Sequence, residues 1–303
     1  MNRDLKPRYE SLVSYLRELG PHAVAFSGGV DSTLLLFASQ DAAKSVAALS
    51  DPPVQDDSGR NKTAHAGELQ KPHTGALALT AVTPYTPERD RNDAVAAAAE
   101  AGAEHMLIEI DIPNVISSNP PNRCYLCKRT IFSRLLTEAE KEGITILVDG
   151  TNFDDRNDYR PGRKALDELG IQSPLLELAV SKEEVRELAQ YRGITFWSKP
   201  ASACLLTRLP MDEEINPEEL KRIDAAEEFV RGLGIEVVRV RSFTDTARLE
   251  VGADEREKIA SAALWDEIVT ELKRIGYSTI TLDLEGYISG SMNKMESEGQ
   301  QNG

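Results

Sequence analysis

The sequence predicts an α/β protein: a parallel sheet wrapped by helices, then a smaller α+β region. Three observations lead there. Short apolar runs alternate with helix-like patterns over residues 1–205, as in β-α repeats with helices on both faces of a sheet. One run, His22-Ala23-Val24-Ala25-Phe26, passes through two glycines into a second, Thr33-Leu34-Leu35-Leu36-Phe37-Ala38, which reads as strand, tight turn and helix start. Beyond Cys204 the pattern changes to a helix, two alternating strands, a helix and a last strand. The expected domains are 1–205 and 206–294, with a disordered tail at 295–303.

In chain order, Leu5, Tyr9, Leu12, Val13, Leu16 and Leu19 recur at helical spacing, and Gly20-Pro21 closes that helix. The strand at 22–26 and a helix reaching Leu49 follow. Residues 50–75 are polar and rich in Pro, Gly, Asp and Lys, and read as a flexible insertion in which His65 and His73 are solvated. Strands are expected at 76–82, 106–110 and 144–148, with helices at 87–101 and 125–142 between them. In the second region 217–233 reads as an amphipathic helix, 235–243 and 247–251 as a hairpin, 254–275 as a helix and 278–284 as a strand. Ligands of parallel sheets bind beyond the carboxyl ends of the strands. That rule singles out the turn at 27–32, the loop before Cys124 and residues 149–152.

Composition narrows the function. At 303 residues with 41% hydrophobic content, the chain is an ordinary globular protein of one large or two modest domains. No apolar stretch approaches ~18 residues, so no membrane span is expected. The start, Met1-Asn2-Arg3-Asp4-Leu5-Lys6, lacks the apolar core of a signal peptide, which points to the cytoplasm. The net charge of −15 disfavours bulk attraction to nucleic acid or to an anionic membrane. The three cysteines, Cys124, Cys127 and Cys204, are too few and too odd in number for a disulfide framework. A C-x-x-C pair plus one suggests metal ligation or sulfur chemistry.

Ser27-Gly28-Gly29-Val30-Asp31-Ser32 is the sharpest motif. Two glycines let the backbone approach a ligand and turn N–H groups toward it, and the new helix adds its unpaired N–H groups and positive dipole end. The hydroxyls of Ser27 and Ser32 complete an anion cup sized for pyrophosphate. No G-x-x-x-x-G-K-[ST] sequence occurs, so this is no Walker A loop. S-G-G-x-D-S instead resembles the PP-loop of the ATP pyrophosphatases. That resemblance implies an adenine-nucleotide α-hydrolase-like, Rossmann-like sheet, ATP with Mg²⁺, cleavage between the α and β phosphates, and adenylation of a carbonyl or carboxylate oxygen.

Three further stretches follow. Asp149-Gly150-Thr151-Asn152 leaves a strand end, with Asp154 and Asp155 close by as magnesium or polar contacts. Arg123-Cys124-Tyr125-Leu126-Cys127-Lys128 opens a helix, where the N-terminus and flanking cations favour thiolates. Lys199-Pro200-Ala201-Ser202-Ala203-Cys204-Leu205 carries the third cysteine. A four-cysteine zinc site is excluded by count, and a Cys₃His site on His22 or His105 has no supporting spacing. Three cysteines on a 4Fe–4S cluster leave one iron open. Arg239 and Arg241 share one strand face, opposite Val238 and Val240, where Arg248 can join them. Glu177 ends a short apolar run as a candidate magnesium or substrate contact.

Together these motifs, with the run 158–162, Arg248-Leu249-Glu250 and Gly286-Tyr287-Ile288-Ser289-Gly290-Ser291-Met292-Asn293, resemble the LarE family of ATP-dependent sulfurtransferases over nearly the whole chain outside residues 50–75. The resemblance implies a pyridinium-3,5-biscarboxylic acid mononucleotide substrate, adenylated on a ring carboxylate and converted to a thiocarboxylate on the way to the nickel-pincer nucleotide cofactor. It implies nucleotide contacts at Ser27, Gly28, Gly29, Asp31, Ser32, Gly150, Thr151 and Asn152, and substrate contacts at Arg123, Arg160, Arg239 and Arg241. It also implies sulfur chemistry at Cys124, Cys127 and Cys204. The family has two sulfur sources, sacrifice of a single cysteine at the position of Cys204 or a three-cysteine 4Fe–4S cluster with an extra sulfide. Three cysteines assign this chain to the cluster type, fed by sulfide or another sulfur donor. A homo-oligomer is expected. The rivals are a PP-loop tRNA thiolase, an amide-forming ligase of the NAD synthetase kind and a nucleotide-binding regulator without turnover.

Overall fold

A computed structural model describes residues 4–49, 75–156, 161–200, 202–260 and 262–288. Residues 50–74 of the expected insertion, His65, His73, Arg160 and the 295–303 tail lie outside them. The chain divides into two compact units. The first comprises Met1–Val82, Asp90–Glu109 and Lys128–Ala201; the second comprises Thr83–Arg89, Ile110–Cys127 and Ser202–Gly303.

In the first unit, helix α1 (Leu5–Leu19) starts at Asp4, whose carboxylate accepts the Lys6 N–H. Then come β1 (Ala23–Ala25), α2 (Val30–Leu49), β2 (Leu77–Val82), α3 (Glu88–Ala101, in this unit from Asp90 on), β3 (Glu104–Glu109), α4 (Arg123–Lys141, in this unit from Lys128 on) and β4 (Leu147–Val148). The strands form one parallel sheet in the order β3-β2-β1-β4, as expected of β-α alternation. Val24 pairs with Ala78 on one side and Val148 on the other, so β1 is central and its carboxyl end aims the glycine turn. Leu12, Leu16, Val24, Leu34, Leu35 and Leu36 are fully buried in the core around it. Each such leucine contributes about 1.5–3 kcal/mol by leaving water. Helices α5 (Pro161–Glu168), α6 (Pro174–Glu177) and α7 (Lys182–Tyr191) follow without having been assigned from the sequence.

The 144–148 strand shrinks to two residues for a local reason. Gly143 takes φ 76°, which ends α4, and the Ile144 N–H returns to the Ala139 carbonyl at 2.9 Å. This is a left-handed helix stop, and it commits the first residue of the supposed strand to the helix.

In the second unit, α8 (Pro217–Gly232) is capped by Asn216, which accepts the Glu218 N–H, and begins with proline. Strands β5 (Val238–Phe243) and β6 (Thr246–Val251) form the expected antiparallel hairpin. Helices α9 (Arg256–Ile259) and α10 (Ala262–Ile275) lead to β7 (Thr279–Leu282), which pairs parallel with β6. The expected 254–275 helix is therefore two pieces. Glu255, just before α9, accepts the N–H groups of Glu236 and Val237 at 2.7 Å each, which also explains why β5 starts at Val238. A separate apolar cluster joins Tyr85, Ile116, Leu205, Leu206, Leu209 and Ile215, and so ties segments 83–89 and 110–127 to this unit. Among the described residues no helix is long and apolar enough to cross a membrane.

Candidate functional site

The glycine turn leaves β1 at Phe26, whose N–H bonds the Leu79 carbonyl at 2.8 Å. Gly28 takes φ 68°, and a Cβ there would lie 2.8 Å from the Ala94 backbone. Only glycine meets both the left-handed backbone and the close approach of α3. Ser32 donates to the Gly29 carbonyl at 3.1 Å and meets the Ser27 hydroxyl at 3.1 Å, so both serines line the turn as expected. Lys199, in the segment that leads to Cys204, braces the same turn. Its ammonium is held by Asp93 at 2.8 Å and Asp90 at 3.1 Å and reaches the Gly28 carbonyl at 3.3 Å.

The loop after β4 meets the same turn. A Cβ on Gly150 would lie 2.8 Å from the Ser32 nitrogen. Asn152 donates to Asp31 at 2.9 Å. Burial pushes the Asp31 carboxyl up, Asn152 pulls it down, and Asp155 pushes it up again. Thr151 and Ser173 both donate to Asp149. Asp154 accepts the Lys182 N–H at 2.8 Å and Asp155 accepts the Asn152 N–H at 3.2 Å, so both have structural bonds that the sequence did not indicate. Glu177 is exposed on α6 and accepts the Tyr15 hydroxyl at 2.5 Å.

The second unit holds all three cysteines. Cys124 is exposed on the first turn of α4, while Cys127 and Cys204 are half-buried. Tyr85, 3% exposed, joins their segments: its hydroxyl meets the Cys127 sulfur at 3.0 Å and its carbonyl accepts the Leu205 N–H at 3.1 Å. Burial, then the neighbouring Cys124, pushes the Cys204 thiol up against the pull of Arg208 and Arg123. Tyr85 is likewise pushed up, by burial and then by Cys127. Tyr85 sits just past the carboxyl end of β2, and that position is the one signal by which the sequence could have found it.

The expected ligand set can be tested against these thiols. Among the described residues no three His, Cys, Asp or Glu side chains are gathered to hold a metal ion. The cysteines are neighbours, not an assembled site. As a donor set, three thiols with a nearby hydroxyl suit an iron–sulfur centre, which keeps its thiolates farther apart than a single ion does. The fit lies in the donor chemistry, not in the distances.

The arginines divide. Arg241 is committed to Glu250 by two bonds of 2.9 and 2.8 Å and also donates to the Thr207 carbonyl. Arg239 gives one bond to the Val238 carbonyl at 2.8 Å and lies 4.8 Å over the Tyr287 ring, with no carboxylate bonded to it. Arg248 contacts Glu250 at 3.3 Å and Asp283 at 3.7 Å. Arg208 is buried against Glu227, which also accepts from Arg231 and from the Val240 N–H. Burial pushes the Glu227 carboxyl up, but Arg208 and Arg231 outweigh it and hold it below the ordinary value. Arg123 is buried and unpaired among the described residues.

A parallel sheet whose central strand runs through S-G-G-x-D-S into a helix N-terminus defines a PP-loop, ATP-dependent enzyme. No family model matches the chain. Whole-length relatives do. The pyridinium-3,5-bisthiocarboxylic acid mononucleotide synthase of Lactiplantibacillus plantarum is 32% identical over 95% of this chain and 95% of its own. The chain belongs to the LarE family, that of this synthase. An uncharacterised Synechocystis protein is 37% identical over 96% of this chain and 98% of its own, and one from Methanocaldococcus jannaschii is 36% identical over 88% and 90%. A solved NH3-dependent NAD synthetase from Campylobacter jejuni, in complex with nitrate, aligns over 90% of this chain and 95% of its own, with a TM-score of 0.43 and 14% identity, too distant to bear on function.

Proposed function

We propose that the protein is an ATP-dependent sulfurtransferase that converts the ring carboxylates of pyridinium-3,5-biscarboxylic acid mononucleotide to thiocarboxylates for the nickel-pincer nucleotide cofactor. The observation that carries this reading is that Tyr85 joins the segments of Cys127 and Cys204, with Cys124 on the same helix turn as Cys127, in a family with a member named for a bisthiocarboxylic acid mononucleotide.

In the proposed reaction a substrate carboxylate oxygen attacks the α-phosphorus of ATP. The α–β bridging bond breaks and pyrophosphate leaves. The N–H groups of Gly28 and Gly29, the hydroxyls of Ser27 and Ser32 and the α2 N-terminus stabilise its charge. Asp31 would hold Mg²⁺, which would balance charge on the phosphates, while Gly150, Thr151 and Asn152 would border the nucleotide. A sulfur nucleophile then adds to the acyl carbon, and AMP leaves with the C–O electron pair. Arg239, whose fork has no carboxylate bond, binds substrate phosphate, and Arg160 is a further substrate contact.

Cys124, Cys127 and Cys204 would hold a 4Fe–4S cluster, which when bound supplies an open iron for a transferable sulfide. The Tyr85 hydroxyl meets the Cys127 sulfur, and Leu205 and Leu206 form an apolar wall beside it.

The test is anaerobic turnover with ATP and the pyridinium substrate, followed by mass spectrometry of product and protein. Thiocarboxylate, AMP and pyrophosphate are expected, with all three cysteines intact. Dehydroalanine at position 204 in an active, iron-free protein overturns the cluster and leaves sulfur transfer standing. No sulfur in the product, with pyrophosphate released only in the presence of ammonia, overturns sulfur transfer.

A further inference from the structure

Lys199 is a nearly buried cation that reaches the backbone of the glycine turn. Its side chain is 10% exposed, and the three N–H donors of its ammonium meet three acceptors: Asp93 at 2.8 Å, Asp90 at 3.1 Å and the Gly28 carbonyl at 3.3 Å. Two carboxylates already neutralise the charge, so the carbonyl is not needed to bury it. Asp90, Asp93 and Ala94 share one face of α3, three and four residues apart. The Ala94 backbone is also the surface against which Gly28 packs. One helix face therefore seats the turn and the cation that holds it.

The strap that carries Lys199 is itself fixed. Glu100 on α3 accepts the Thr195 N–H at 2.9 Å and the Thr195 hydroxyl at 3.1 Å, and Arg186 on α7 donates to the Lys199 carbonyl at 3.2 Å. Pro200 restricts Lys199 to the extended backbone it adopts, φ −54° and ψ 129°. A long, flexible side chain is thus pointed before any ligand arrives. The peptide it meets is trans, so the Gly28 carbonyl and the Gly29 N–H point in opposite directions. Holding the carbonyl fixes the direction of that N–H. Gly29 is half-buried, and its N–H meets the Ser27 hydroxyl at 3.4 Å, longer than an ordinary bond, so the donor keeps most of its strength for a ligand.

We propose that Lys199 is a positioning residue of the glycine turn: it pins the Gly28 carbonyl so that the Gly29 N–H is aimed at the phosphate anion the turn takes. This rests on the phosphate-binding role proposed for the turn and not on sulfur transfer. The ammonium does not itself touch the anion. All three of its donors are engaged, two of them by carboxylates that repel phosphate. Its charge also draws electron density toward the carbonyl oxygen, which strengthens the N–H of the same peptide as a donor.

Gly28-Gly29 is the only Gly-Gly pair in the chain, which gives this peptide its own reporter. Full-length protein grown on glycine labelled with carbon-13 at the carbonyl and with nitrogen-15, with unlabelled serine supplied, yields one signal in a carbonyl-to-amide correlation spectrum. That signal joins the Gly28 carbonyl to the Gly29 amide. Lys199→Met moves the carbonyl upfield, as loss of a hydrogen bond to it does, and Lys199→Arg moves it less. Magnesium pyrophosphate shifts the Gly29 amide of the native protein and leaves the carbonyl in place. Its affinity, read from the same titration, falls about tenfold in Lys199→Met and stays within about threefold in Lys199→Arg. An unmoved carbonyl with unchanged affinity in a folded Lys199→Met protein overturns the proposal while the phosphate reading stands. A native carbonyl that moves upfield as pyrophosphate binds means that the ammonium leaves Gly28 for the phosphate, and overturns the proposal without any variant. A native Gly29 amide that ignores pyrophosphate, beside a carbonyl that still answers to Lys199, overturns the phosphate reading of the turn, and with it the aim but not the pin.

Discussion

Around the glycine turn of the first unit, polar side chains are bonded to one another. Ser27 meets Ser32, Asn152 holds Asp31, and Thr151 and Ser173 hold Asp149. The Thr33 hydroxyl is the buried exception. In the segment of the second unit that carries Cys124 and Cys127 the pattern reverses. Arg123 and Asn119 each leave a buried polar atom unbonded, and burial pushes the Cys204 thiol up. The difference teaches how each region meets its ligand. The turn is already satisfied by its own side chains, which suits the phosphate-binding role proposed for it. The cysteine-bearing segment instead leaves buried polar atoms without a protein partner among the described residues, and such atoms are costly.

The hardest test of that contrast is Cys204→Ala. Thiocarboxylate formation falls on the order of a thousandfold or more, while substrate-dependent pyrophosphate release falls far less, since the cradle is untouched. Parallel loss of both activities, measured on one sample, would dissolve the division of labour.

Next come the two buried arginines. Arg208→Met leaves the buried Glu227 with only Arg231 and the Val240 N–H and costs about 3 kcal/mol in urea unfolding. Arg123→Met removes a charge that has no ion-pair partner among the described residues and changes stability by less than about 1 kcal/mol, or raises it. Equal costs would mean that Arg123 is a structural residue.

Gly28→Ala probes the cradle. The left-handed backbone costs roughly 1–2 kcal/mol and the clash with Ala94 about 1–3 kcal/mol more. Urea unfolding reads the stability loss, and ATP-dependent pyrophosphate release drops with it. A fully stable, fully active alanine variant would show that the turn is not a rigid cradle.

The smallest effect concerns Asp31, whose carboxyl burial pushes up. A carboxyl raised by folding favours the fold when protonated. Its contribution is complete below the ordinary aspartate value of about 3.9 and is lost as pH rises through the folded-state value. Asp31→Asn keeps the acceptor for Asn152, flattens that part of the pH–stability curve and stabilises at neutral pH by about 1 kcal/mol or less. Thermal unfolding across acid pH checks it, and a steeper fall in the variant contradicts the sign.

Local signals were legible in the sequence. The strand–turn–helix at 22–38, the hairpin at β5 and β6 and the stripe on α1 each repeat a short-range period that the backbone obeys. The misreadings came where a side chain or a helix end claimed a backbone group: Ile144 returning to Ala139, and Glu255 taking two N–H groups ahead of β5. Helices α5 to α7 are short and gave no long stripe to read.

By itself, then, the sequence determined the alternating sheet, the glycine turn at the end of its central strand and the family, because period, turn chemistry and motif order are written in neighbouring residues. Only the tertiary structure decided which charges are answered. Arg241 finds Glu250 across a hairpin, Arg208 finds Glu227 on α8, Lys199 finds Asp90 and Asp93 on α3, and Arg123 finds no carboxylate among the described residues. Pairing depends on distance in space and on loss of water, and neither leaves a mark at fixed spacing along the chain.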